Sequence, residues 1–124
     1  MDERARTFSA AELRVACFLA AEGREIVAVG SGPVRPDALV DGHPTDFVVL
    51  DPHGTSVAVT MALSRAARHA EHAVIDARGS GVSLAAADAG VRRFRQIPHG
   101  ARLRDLRVIG DGYDVTYPSA LRTE

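Results

Sequence analysis

The chain has no lysine. All 15 of its basic residues are arginine, and an arginine stays protonated, so it can stabilise negative charge but cannot act as a general base. The abundance of Ala and Gly marks this as compositional bias, and it does not by itself name a partner. Cysteine is nearly absent too. The single Cys17 excludes an internal disulfide, and its place on the apolar side of an expected helix predicts a core residue. No apolar run approaches the ~18 residues that a membrane span requires. The opening Met1-Asp-Glu-Arg-Ala-Arg6 lacks the apolar centre of a signal peptide, so a cytoplasmic location is expected for the chain as it stands.

What is present describes an ordinary folded domain. With 124 residues, 46% of them hydrophobic and 25% charged, the chain is long enough for a core and is expected to form a single domain over 1–124. Its formal charge of −1 conceals an asymmetry. Residues 1–64 carry nine acids and five Arg, a net −4; residues 65–124 carry seven acids and ten Arg, a net +3. Clustered carboxylates beside an Arg-rich half suit a metal site next to a phosphate-binding surface.

Patterning supplies the elements. Ser9-Ala-Ala-Glu12 fits a capping box opening a helix to about Glu22, with Leu13, Ala16, Cys17 and Ala20 as its apolar face. Glu25–Val29 reads as a strand and Gly30–Pro33 as a loop. Ala38–Val40 and Asp46–Leu50 form a hairpin around Asp41-Gly42. Ser56 to about His69 is a helix, His72–Asp76 a buried strand, and Ser83 caps a helix to about Phe94. Leu106–Ile109 and Tyr113–Thr116 are the last strands. The order α-β-β-β-α-β-α-β-β predicts an α/β sandwich with a central mixed β-sheet flanked by helices.

The chemistry concentrates in Arg35-Pro-Asp-Ala-Leu-Val-Asp-Gly-His-Pro-Thr-Asp-Phe-Val-Val49. Asp37 and Asp46 lie on adjacent strands of the hairpin, and Glu12 comes from the helix upstream. Three carboxylates in that order are candidate ligands for one hard divalent cation, Mg²⁺ or another. Each has a plainer reading: Glu12 as a helix cap, Asp37 as the start of a turn, Asp46 as the end of the hairpin. Asp76, at a buried strand end, is read as an anchor for the loop after it.

Helix Glu, then Pro-Asp, then an acid on the next strand resembles the PD-(D/E)XK nuclease pattern. It is similar to the C-terminal toxin domains of contact-dependent growth inhibition proteins of the CdiA type. The carrying segments are Ala11–Gly23, Arg35-Pro-Asp37 through Thr45-Asp-Phe47, Val74-Ile-Asp-Ala-Arg-Gly-Ser-Gly81 and Val108-Ile-Gly-Asp-Gly-Tyr-Asp114, which together span nearly the whole chain. The resemblance implies a restriction-endonuclease-like sandwich and a metal-dependent ribonuclease acting on tRNA, with Glu12, Asp37 and Asp46 as metal ligands. It also implies a cognate immunity protein, and delivery into a target cell by an exported carrier. One position departs from the pattern. The strand Lys expected two residues after Asp46 is Val48, so the cation near the phosphate must come from elsewhere. Arg65, late in the following helix, is the first candidate and Arg78 the second. A different reading follows from the same gap: a catalytically silent relative that binds RNA or a protein.

Weaker groupings complete the reading. Arg78, Arg92, Arg93 and Arg95, with Arg102 and Arg104, are candidates to hold an RNA backbone. Gly79-Ser-Gly81 before Ser83 is a candidate phosphate seat, although such loops are commonly turns. His69 and His72 straddle a helix-to-strand junction, which argues against a shared metal.

Overall fold

The computed structural model describes residues 1–30, 32, 35–97 and 103–118. Its elements follow the expected order: α1 (Ala10–Ala21), β1 (Ile26–Ala28), β2 (Ala38–Val40), β3 (His43–Val49), α2 (Ser56–Ala66), β4 (His72–Asp76), α3 (Leu84–Arg95), β5 (Asp105–Gly110) and β6 (Tyr113–Tyr117). The six strands form one sheet whose spatial order equals their chain order. β3, β4 and β5 run parallel, and the strands on either side pair antiparallel. This is a mixed sheet with helices on both faces.

Two apolar clusters divide the molecule at the sheet. On one side α2 and α3 bury Val59, Leu63, Val91 and Phe94 against Ile75, Leu106 and Val108. On the other, α1 buries Val15, Ala16 and Leu19 against Ile26, Phe47, Val74 and Ile109. Each parallel connection carries a helix, as parallel pairing requires. No helix among the described residues is long and apolar enough to cross a membrane.

Local chemistry sets the boundaries. The capping box at α1 is complete: Ser9 Oγ accepts from the Glu12 amide, and the Glu12 carboxylate accepts from the Ser9 amide. Ser83 caps α3 by accepting from the Ala86 amide. At the hairpin, Asp41 (φ 49°) and Gly42 (φ 84°) both take left-handed conformations, as a two-residue primed turn demands. That tight turn lets β3 begin at His43 rather than Asp46. Asp46 therefore sits inside a strand, not at its entrance.

Two expectations change. α2 stops at Ala66, and Ala67–His69 form a turn closed by the Ala66 carbonyl, which accepts from the His69 and Ala70 amides. Cys17 is exposed, not core. α1 is apolar over most of its circumference, so periodicity could not choose a face. The sheet selects the larger Val15 and Leu19.

Candidate functional site

The β2–β3 hairpin brings Asp37 and Asp46 together. Ala38 pairs with Thr45 across the strands, so the next pair outward is Asp37 and Asp46. Their link runs through the backbone: the Asp37 amide donates to Asp46 Oδ1 at 3.1 Å, and the Phe47 amide donates to Asp37 Oδ2 at 2.9 Å. Each carboxylate is thus aimed by an amide of the other strand.

Arg6 and His69 complete the cluster. Arg6, in the segment before α1, donates through Nη1 and Nη2 to the two oxygens of Glu12 at 3.0 and 2.8 Å. The same guanidinium donates to the carbonyls of Val29 (2.7 Å) and Asp37 (2.9 Å) and stands 3.8 Å from Asp37 Oδ1. From the other side of the hairpin, His69 Nδ1 lies 3.1 Å from Asp46 Oδ2. Asp37 is the middle member. Glu12 of α1 and Arg6 before it flank it on one side, and Asp46 of β3, with His69 from the turn after α2, on the other.

The electrostatics follow this geometry. Hydrogen bonds from Arg6 hold the Glu12 carboxyl down to about 2. Asp37 goes the other way, up to about 6, first because burial penalises its charge and then because Asp46 and Glu12 repel it, the Phe47 amide offsetting only part. Burial also raises Asp46, against the lowering by His69 and the Asp37 amide. The three carboxylates carry more negative charge than Arg6 offsets.

That excess is the test of fit for a divalent cation. Three hard oxygen donors with uncompensated charge suit such an ion. The arrangement is less ready than the chemistry: among the described residues no three His, Cys, Asp or Glu side chains are gathered as a metal-holding group. Glu12 explains this, since Arg6 and the Ser9 amide already use its oxygens.

The candidate cations fare differently. Arg65 is exposed in the last turn of α2, and no ion pair or hydrogen bond joins it to the acids among the described residues. The side chain from that end of the chain that reaches them is His69, carried by the turn after α2. Arg78 is held by Asp76, which also accepts from the Arg78 amide and faces Arg14 at 3.2 Å. Asp76, only 1% exposed, thus serves as an anchor. Arg95 donates to the carbonyls of Tyr117 and Pro118. Arg92 and Arg93 are exposed in the last turn of α3. Arg104 lies 4.0 Å from Glu71, and Arg102 is outside the described residues.

The Gly79-Ser-Gly81 loop is a closed turn. The Gly79 amide donates to Asp111, and Ser80 Oγ donates to the Ala77 carbonyl while accepting from the Val82 amide. His72 and His69 are indeed separate. His72 lines a cavity of about 350 Å³ on the α1 side of the sheet, its ring 5.1 Å from that of His43.

Sequence reasoning missed Arg6 and His69. Arg6 precedes the helix in irregular chain and forms no motif with Glu12. His69 had a weak signal, standing four residues beyond Arg65.

Residues 34–113 match the family described as the contact-dependent growth inhibition CdiA C-terminal domain. The chain belongs to that family. Asp37 and Asp46 of this CdiA C-terminal domain lie within the match, while Arg6 and Glu12 precede it. Among solved structures, the CdiA-CT/CdiI toxin and immunity complex from Burkholderia pseudomallei resembles it with a TM-score of 0.66 and 20% identity, over 94% of this chain and 97% of that one. At that identity the likeness speaks to the fold alone. No curated protein matches the chain.

Proposed function

We propose that this CdiA C-terminal domain is a toxin acting as a metal-dependent ribonuclease, with tRNA as its substrate class. The observation that carries the reading is the half-buried Asp37 carboxyl. It is held between two further acids and pushed up to about 6 by burial and their charge, a strain that a divalent cation would relieve. Asp37, Asp46 and Glu12 would hold Mg²⁺ or a similar ion, with Glu12 exchanging its pair with Arg6. Once bound, such an ion supplies activation of water and neutralisation of phosphoryl charge. The chain's own groups do the positioning. The Phe47 and Asp37 amides fix the two Asp carboxylates, and His69 orients Asp46. Family membership supports the toxin role. The toxin–immunity complex of its structural relative supports a cognate immunity protein as partner.

Two observations favour the silent reading. Val48 stands where the pattern has Lys, and Arg6 saturates Glu12. Purified protein incubated with total tRNA, with Mg²⁺ or with EDTA, decides between them. The nuclease reading expects fragments in Mg²⁺, and none in EDTA or from Asp46→Asn. Intact tRNA in Mg²⁺ leaves the binding module.

A further inference from the structure

Beside the acids lies a cleft of about 280 Å³, walled by Arg6, Glu12, Arg35 and Asp37 over Gly30 and Gly32. It contains two guanidinium groups in opposite conditions. Arg6 is spent: Nε, Nη1 and Nη2 all donate to Glu12 or to backbone carbonyls. The Arg35 side chain is exposed and makes no hydrogen bond or ion pair among the described residues. Its stem nevertheless has a seat. A Cβ added at Gly32 would stand 2.9 Å from Arg35 Cδ, so the absence of a side chain at Gly32 lets Arg35 lie across the loop at the cleft.

We propose that Arg35 is the residue that grips a non-bridging oxygen of the scissile phosphodiester, taking the part left open by Val48. The inference rests on the nuclease reading above and names the phosphate seat within that site. A planar guanidinium presents paired donors that match phosphate oxygens, and among the described residues those of Arg35 are uncommitted. The sequence distance is short as well. Arg35 is two residues from Asp37 and lines the same cleft, so its side chain stands beside the acids. Arg65 has no comparable link to the acids.

The test has two arms. In the first, cleavage of total tRNA in Mg²⁺ is compared for wild type, Arg35→Ala, Arg35→Lys and Arg65→Ala. Arg35→Ala should lose about 10²–10³ in rate, the scale of a removed charge-stabilising donor, with part returned by Arg35→Lys. Full activity in Arg35→Ala, or a loss that follows Arg65→Ala instead, overturns the proposal. In the second, binding of a short oligoribonucleotide is followed against salt in an Asp46→Asn background. Removing Arg35 should lower the magnitude of the log–log salt slope by about 0.7, one single-strand phosphate contact; an unchanged slope overturns the proposal. If the wild type cleaves nothing, the nuclease reading fails alone, and the binding arm still decides whether Arg35 meets phosphate. Arg35 is exposed, and equal melting temperatures exclude a folding effect.

Discussion

Asp37 sits between opposing demands, and its proton is the readout. Its folded-state pKa of about 6 lies above the ordinary value of 3.8, so the folded protein binds this proton more tightly than the unfolded chain does. The charged form therefore costs stability above pH 6, and that cost disappears as pH falls through about 6 towards 4. A two-unit displacement would equal about 3 kcal/mol. With the side chain 31% exposed, solvent screening reduces this to on the order of 1 kcal/mol. Asp37→Asn still offers an oxygen to the Phe47 amide. In EDTA it should melt higher than wild type at pH 7.5, with the gap closing below pH 5. Thermal unfolding across that range checks this, and a lower melting temperature for Asp37→Asn at pH 7.5 would show the charge to be stabilising. Glu12 acts with the opposite sign: its stabilisation is lost as pH falls from about 4.5 through about 2, and this holds in wild type and variant alike. At this scale the sequence was half legible. Ser9 and Glu12 at a spacing of three announced the cap, and the acids could be read from their order. The partners could not: Arg6 meets Glu12 and Asp37 only after β1 and β2 fold beside α1.

Element by element, the sequence was read well where punctuation is strong and poorly where hydrophobicity is uniform. Asp41-Gly42 and the Ser caps placed their turns and helices. α1 defeated periodicity, because Leu13, Val15, Phe18 and Leu19 all qualify for the buried face. The α2–α3 packing had no sequence signal beyond one glycine within a helix. Gly90, in the second turn of α3, lies against α2: an added Cβ would be 2.6 Å from Val59 Cβ and 2.7 Å from the Ser56 carbonyl oxygen. Neither atom is the free end of a flexible chain, so the helices must separate. Gly90→Ala gains up to about 1 kcal/mol of helix propensity but should lose about 2–3 kcal/mol in overpacking. Urea unfolding should give a net loss of at least about 1 kcal/mol. Stability equal to or above wild type would mean that α2 and α3 slide without cost.

For the whole molecule, the excess of Arg in residues 65–124 is the feature that would bear on RNA under the proposed function, and the structure divides it. Arg107 bridges Glu22 and Asp114, Arg78 neutralises Asp76, and Arg95 ties β6 to α3 through carbonyls. These are bound up in the fold, whereas Arg92 and Arg93 stand exposed at the end of α3 with no ion pair among the described residues. Counting arginines could not separate the two kinds, since the difference lies in which acid the fold delivers to each. On the proposed function the groups respond differently to substitution. Arg92→Ala with Arg93→Ala should leave the melting temperature within a degree or two, as surface changes do. In an Asp46→Asn background the double variant should lower the magnitude of the salt slope for tRNA binding by about 1.4–1.8, since each lost phosphate contact removes about 0.7–0.9. Arg78→Ala should act on stability instead. It leaves the Asp76 carboxylate, 1% exposed, with only Arg14 and the residue-78 amide, at a cost of about 3 kcal/mol, and the salt slope of the folded fraction should not move. Binding isotherms at several salt concentrations, beside urea unfolding of the same variants, separate the outcomes. A salt slope unaffected by the double variant would remove the end of α3 from the RNA path, and a slope that falls with Arg78→Ala at full stability would return Arg78 to it.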